Sequence, residues 1–243
     1  MQQYQLIVDK IRQETDSVIL FHSAGGKDSI VLCDILAKSF KKVVCCYMYM
    51  VKDLEHLNRQ IKWTLKKYPN VTFIQMPHFA KSCYEKYGDL KLQKNEKQRI
   101  LNLENCIELA RKATGIEWVC LGFKATDGLN RRVMLKTYED GAIFRGGHKF
   151  FPLASYTNKW CLKYIEENNL IKPIDYGMAR GVSSEFVPNN TGCLLWVREH
   201  YPKDYEKTVK EYPVVERYIY EYERYTAINK EKGSQVANQP ESV

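Results

Sequence analysis

None of the eight cysteines stands in C-x-x-C spacing with another. That absence removes zinc ribbons, thioredoxin-type redox pairs and a disulfide framework, and it suits a reducing cytoplasm. Most of the cysteines lie inside apolar runs and read as small buried hydrophobes; Cys193, beside Gly192 in a loop, is left open. No apolar run approaches the roughly 18 residues that a membrane-spanning helix needs. The opening MQQYQLIVDKIRQETD has acids among its charges and no apolar run, unlike a secretory leader. Glycine and proline are sparse, 13 and 8 residues, and no internal repeat occurs, so collagen-like and low-complexity architectures are excluded. Two nucleotide signatures are missing as well. A G-x-x-x-x-G-K-S/T loop ending at Lys27 needs glycine where Phe21 stands and Ser or Thr where Asp28 stands, and there is no G-x-G-x-x-G.

What is present is a chain of 243 residues, 44% hydrophobic and 27% charged, enough for one sizeable core. The net charge of +8 points to anionic partners. It is unevenly spread: residues 1–149 carry +9 and residues 199–243 carry −2, which argues against a general polyanion coat.

The periodicity predicts an amphipathic helix over 4–14, with Leu6, Ile7 and Ile11 on one stripe, and a buried strand over 17–22. A glycine loop at 23–29 then opens a second helix. Further strands are expected at 43–51, 71–76 and 117–121, with helices over 54–68, stopped by Pro69, and over most of 79–114, broken near Gly88 and Asp89. Strands alternating with helices predict an α/β fold with an open, mainly parallel sheet and flanking helices, because parallel strands need crossover connections. Thr157 is placed to cap a helix of about ten residues. Residues 173–193 read as loop and 203–229 as a Tyr-rich helical stretch. Tyr218, Tyr220, Tyr222 and Tyr225 fit packing and partner contact better than base stacking. The expected organisation is a nucleotide-binding core over 1–150, substrate-side loops and C-terminal helices over 151–229, and a disordered tail over 230–243.

The strongest local signal is Ser23-Ala24-Gly25-Gly26-Lys27-Asp28-Ser29. Glycines between a strand and a helix let backbone N–H groups converge, and the helix N-terminus adds unsatisfied donors and partial positive charge. Lys27 supplies a mobile cation, and Ser23 and Ser29 supply hydroxyls. Asp28 is out of place in an anion site unless it caps the helix or holds a Mg²⁺ that bridges it to phosphate oxygens. A second basic loop, Gly122 to Lys136, carries Lys124, Arg131, Arg132 and Lys136. Guanidinium groups bind phosphate oxygens bidentately, so two loops at strand ends can grip a polyphosphate from both sides.

The first loop resembles the S-G-G-x-D-S loop of the PP-loop ATP pyrophosphatases, the adenine nucleotide alpha-hydrolase-like superfamily, and most closely the branch that contains phosphoadenosine-phosphosulfate reductase. Gly122-Phe-Lys-Ala-Thr-Asp-Gly-Leu-Asn-Arg131 is similar to that family's G-x-R-x-x-E-S-x-x-R segment, with Lys124 in place of the first Arg, Asp127 of the Glu and Gly128 of the Ser. Phe151-Pro-Leu153 followed by Trp160, Lys172-Pro-Ile-Asp-Tyr-Gly177, Gly192-Cys193, and Arg198 to Tyr205 resemble later elements in the family's order. One departure stands in the first loop: the family's first serine falls on Ala24, with Ser23 just upstream.

The resemblance implies a Rossmann-like nucleotide-binding fold and an enzyme that binds ATP with Mg²⁺. Its chemistry is attack on the α-phosphorus, release of pyrophosphate and adenylylation of an acceptor; a nucleic acid is one candidate acceptor. It assigns nucleotide contacts to Ser23, Gly25, Gly26, Lys27, Ser29, Gly122, Lys124, Arg131 and Arg132, catalytic roles to Lys27, Asp28 and Arg131, and the metal to Asp28. Residues 79–112 and 173–193 are expected on the acceptor side. His22 and His148 are the nearest histidines for a general base, although a histidine at a strand end is more often structural. Two rival readings follow. A sulfonucleotide reductase relies on a C-terminal E-C-G-L/I-H cysteine, and no cysteine follows Cys193 here. The other is a catalytically quiet nucleotide-binding subunit, favoured by Ala24 and Lys124.

Overall fold

Aliphatic runs flanked by charged helices fold into a parallel sheet in the computed structural model, which describes residues 2–176 and 186–237, with side chains to residue 227. Strand β1 (Ser17–Phe21) is buried from Val18 onward and pairs in parallel with β2 (Lys42–Tyr49), Ser17 opposite Lys42 through Phe21 opposite Cys46. Strand β3 (Val71–Pro77) continues the sheet, Val43 opposite Val71 through Tyr49 opposite Pro77. Helices α2 (Lys27–Ser39) and α3 (Glu55–Lys67) are the crossovers that parallel pairing requires.

The chain then returns to the other side of β1. Strand β4 (Val119–Cys120) pairs with it in parallel, and β6 (Lys149–Phe150) and β5 (Ile143–Phe144) complete the order β3-β2-β1-β4-β6-β5, with β5 antiparallel at the edge. The reversal between β1 and β4 is a switch point, where the connections at the two strands' carboxyl ends diverge and leave a crevice.

Helix α1 (Gln3–Arg12) buries Ile7, Val8 and Ile11; Leu6, expected on that stripe, is exposed. The helical run expected over 79–114 divides into α4 (Phe79–Tyr87) and α5 (Leu103–Thr114). Gly88, at φ +75°, ends α4, and Asn102 caps α5 by accepting from Asn105 N. Helix α6 (Leu129–Lys136) follows the second loop, and Thr157 Oγ1 caps α7 (Asn158–Glu167) as expected, accepting from Trp160 N at 3.2 Å.

Helix α8 (Thr191–His200) begins inside the segment read as loop, capped by Asn190. The single stretch expected over 203–229 is instead α9 (Pro202–Glu211) and α10 (Val215–Ala237), and α10 runs past residue 230, where a disordered tail was expected. Residues 238–243 lie outside the described residues. Tyr218 packs on the core, whereas Tyr220, Tyr222 and Tyr225 are exposed.

The buried apolar residues form two groups. One joins α1, α2, α5 and α7 to the sheet; the other joins α3, α8 and α10 to the segment around Tyr176 and to Ala24. Asp34, fully buried in α2, accepts from Tyr68 and Tyr164 hydroxyls at 2.7 Å each and from Lys38 Nζ at 2.6 Å. Those bonds tie α2 to the end of α3 and to α7, and they satisfy a carboxylate that burial alone would strongly disfavour. No helix among the described residues is long and apolar enough to cross a membrane.

Candidate active site

The first loop is built by local hydrogen bonds. Ala24 takes φ +60°, a left-handed conformation that costs a non-glycine residue roughly 1–2 kcal/mol. Its N–H donates to His22 Nδ1 at 2.9 Å, and Gly25 N–H donates to Ser23 O at 2.8 Å. Ser23 N–H donates to Ser29 Oγ at 3.0 Å, and the two serine hydroxyls lie 3.1 Å apart. Gly26 is the N-cap of α2 and offers no side-chain acceptor, so the helix opens on the loop without a side-chain cap.

A strap supports the loop from outside. Ile174 N–H donates to Gly25 O at 3.0 Å, and the Ile174 side chain lies so close that a Cβ on Gly25 would sit 2.6 Å from its Cδ1. Two residues on, the Tyr176 hydroxyl meets His56 Nε2 at 2.9 Å, and His56 Nδ1 meets Asp204 Oδ2 at 2.7 Å. Asp204 also accepts the N–H groups of Glu55 and His56, capping α3 from α9. Burial lowers the His56 pKa although Asp204 pulls it up, so a neutral ring donates a hydrogen bond from Nδ1–H to Asp204 and accepts one at Nε2 from the Tyr176 hydroxyl. Gly177 and the rest of 177–185 lie outside the described residues.

Between the two loops lies a cavity of about 480 Å³, within the range of small-molecule sites. Of the residues expected to bind nucleotide, Ser23, Gly26, Lys27, Ser29, Gly122 and Arg131 line it, together with Asp28. Three do not. Gly25 is turned against the strap, Lys124 sits behind the wall at 1% exposure, and Arg132 is exposed, its Nε 3.4 Å from the Ala125 carbonyl. Ala24 is buried in the second apolar group, and the Ser23 hydroxyl takes the place on the wall.

Charge is unevenly shared among these groups. Lys124 Nζ lies 2.5 Å from Asp28 Oδ2 and 3.1 Å from Asp127 Oδ1, and Lys124 N–H donates to Asp127 Oδ2 at 2.8 Å. Burial pulls the Lys124 pKa down, but the two carboxylates outweigh it and the net shift is upward. Lys27 Nζ is 3.2 Å from the same Asp28 oxygen. Arg131 stacks on Phe123, its Cζ 3.1 Å from the ring centroid, and its buried Nη1 has no hydrogen-bond partner among the described residues. Burial lowers the Arg131 pKa, with Asp127 opposing.

A Mg²⁺ on Asp28 does not fit this arrangement. Its Oδ2 is taken by two ammonium groups. Its Oδ1 is buried and has no hydrogen-bond partner among the described residues, and the carboxylate, after burial, helps push the Cys161 thiol up to about 12.

The histidines are structural. Because His22 Nδ1 accepts from Ala24, the ring proton is on Nε2, so His22 holds the loop and is no general base in this state. His148 packs edge-on against Trp118 and does not line the cavity. Phe79 and Leu103, from the 79–112 segment expected on the acceptor side, also line the cavity, and sequence reasoning missed Met48, His78, Leu121 and Phe123 beside them. His78 stacks on Phe79 with centroids 4.2 Å apart, accepts from Ala80 N, and is lowered to about 4 by burial. The available signal was position, since Met48, His78 and Leu121 all fall at carboxyl ends of strands. Cys193 is fully buried in α8 and pushed up to about 12 by burial, far from a reactive thiolate.

No family model matches the chain, and no curated protein matches it. Solved structures do match. The U34-tRNA thiolase NcsA from Methanococcus maripaludis, solved with its 4Fe-4S cluster, is 12% identical over 88% of this chain and 79% of that one, with a TM-score of 0.38. The NH3-dependent NAD synthetase from Campylobacter jejuni subsp. jejuni, in complex with nitrate, is 11% identical over 100% of both chains, with a TM-score of 0.47. At such identities and scores, the cavity itself carries the functional reading.

Proposed function

We propose that the cavity is an ATP site of the PP-loop pyrophosphatase type, in which an acceptor attacks the α-phosphorus, pyrophosphate leaves and the acceptor is adenylylated. The observation that carries this reading is the buried, unpartnered Nη1 of Arg131, on the same cavity as Lys27, two serine hydroxyls and the uncapped start of α2. A buried guanidinium nitrogen without an acceptor is costly, and an anionic ligand removes that cost. The phosphate half of the cavity is therefore the side of Ser23, Lys27 and Arg131. The side of Met48, Phe79 and Leu103 is apolar and aromatic and suits a nucleobase. Charge growing on departing pyrophosphate is met by fixed donors and cations, the form of stabilisation that contributes most in such transfers.

The surroundings of the cysteines speak against sulfonucleotide reduction. Among the described residues seven cysteines are buried and Cys83 is half-buried, and none on the cavity wall offers an exposed thiol. The test is pyrophosphate release from ATP, screened across nucleic acids, sulfate and small carboxylic acids as acceptors, with Lys27→Ala alongside. The expected outcome is release with one acceptor class and a loss of about 100-fold or more in kcat/KM for Lys27→Ala. ATP binding without release for every acceptor would favour the quiet nucleotide-binding subunit, and unchanged turnover in Lys27→Ala would remove the loop assignment.

A further inference from the structure

We propose that Lys124 is the resident counter-ion of Asp28 and Asp127, an ammonium standing where a divalent cation would have to stand, so that the cavity takes a polyphosphate without a metal ligated by the protein. The inference rests on the phosphate reading of the cavity given above.

Three of the four carboxylate oxygens of the pair already accept from Lys124: Asp28 Oδ2 at 2.5 Å, Asp127 Oδ1 at 3.1 Å, and Asp127 Oδ2 from the Lys124 backbone N–H at 2.8 Å. The fourth, Asp28 Oδ1, is buried and has no hydrogen-bond partner among the described residues, so it is the one oxygen of the pair that the ammonium leaves open. A Mg²⁺ demands oxygen ligands at about 2.0–2.1 Å in near-octahedral array, so it has to displace the ammonium to reach Asp127 or Asp28 Oδ2, and at Asp28 Oδ1 it stands beside two ammonium groups that repel it. Displacement is opposed by burial. Lys124 is 1% exposed, and moving it leaves either an unpaired buried cation or a new route to solvent.

The side chain suits the role. A lysine ammonium is a compact point charge on a flexible stem and fits between two carboxylates, where a planar guanidinium would engage one of them side-on. Among the described residues three cations, Lys27, Lys124 and Arg131, stand against two carboxylates, a balance that favours phosphate with no metal present. Magnesium carried in on ATP then stays on phosphate oxygens and water.

The test uses the full chain and two readouts that do not depend on turnover. Calorimetric titration with inorganic tripolyphosphate is run in EDTA and in excess Mg²⁺. Free Mn²⁺ is followed by electron paramagnetic resonance in wild type and Asp28→Asn, with and without tripolyphosphate. The expected result is binding in EDTA at least as tight as in Mg²⁺, and Mn²⁺ retention that is the same in wild type and Asp28→Asn. Tripolyphosphate binding more than about tenfold tighter with Mg²⁺ overturns the inference and leaves the phosphate reading intact. So does Mn²⁺ held by wild type and released by Asp28→Asn. If tripolyphosphate binds in neither medium, the phosphate reading falls, and Mn²⁺ titration of the protein alone still decides the counter-ion: a site lost in Asp28→Asn overturns it, no such site supports it. Lys124→Met adds a gain-of-function arm, a new Mn²⁺ site abolished by Asp28→Asn; the wild-type arms decide the matter if that variant does not fold.

Discussion

The two loops that face each other across the cavity are made rigid by opposite means. The first, His22 to Gly26, is held by neutral hydrogen bonds: a histidine nitrogen under Ala24, paired serine hydroxyls, and a strap hydrogen-bonded to Gly25. The second, Gly122 to Arg131, is held by charge, with Lys124 locked between Asp28 and Asp127. The difference teaches that counting basic residues overstates the cations a ligand can meet. Of the four basic residues the sequence offered for phosphate, Arg132 being the weakest, Lys27 and Arg131 line the cavity, Lys124 is an internal strut and Arg132 is on the surface.

The sharpest way to break this comparison is to remove neighbouring arginines. Arg131→Ala is expected to weaken tripolyphosphate binding by about 10- to 100-fold, the worth of one charged hydrogen bond in a shielded site. Arg132→Ala and Arg145→Ala should change it by less than about twofold, because Arg132 is exposed and Arg145 pairs with Glu14 and Glu139 on the surface. Equal effects, measured calorimetrically, would reduce the second loop to a solvated basic surface.

The strap predicts a smaller effect, on the first loop alone. Gly25→Ala places a Cβ 2.6 Å from Ile174 Cδ1, a close approach that forces the strap away at about 1–3 kcal/mol. A lower urea midpoint is expected, restored in part by adding Ile174→Ala. If the double variant melts no higher than the single one, contact with the strap is not what requires glycine.

The smallest effect is on the second loop and appears only in alkali. The Lys124 pKa is raised in the folded chain, so its contribution to stability is fully present below about 10.4, the unfolded value, and is lost as pH rises through the folded one. Buried Tyr68 and half-buried Tyr164, raised by desolvation and by Asp34, add a loss of the same sign. The informative quantity is therefore the difference in urea midpoint between wild type and Lys124→Met, which should be constant up to about pH 10 and narrow as pH rises further. A difference that stays constant would mean the ammonium's charge contributes nothing.

Much of this was legible before any coordinates. The strands at 17–22, 43–51 and 71–76 were written as apolar runs, and the glycine loop announced its place between a strand and a helix. Strands β5 and β6 were not, since two residues each carry no periodicity. The start of α8 was hidden by Gly192 and Pro188, while Asn190, its cap, was the overlooked cue. In the site, the residue types pointed to phosphate, but burial, which separates Arg131 from Arg132, and a place on the cavity wall, which separates Lys27 from Lys124, are not properties of residue type.

The sequence by itself determined the α/β alternation, the phosphate-sized loop at the end of β1 and the density of cations near it, because those depend on local periodicity and on glycine and lysine in a short segment. Only the tertiary structure decided which cations reach the cavity and which carboxylates are already neutralised. Asp28 and Lys124 are 96 residues apart along the chain. It is the parallel pairing of β1 with β4 that brings their two loops together, and a long-range ion pair of that kind follows from sheet order, which no local pattern encodes.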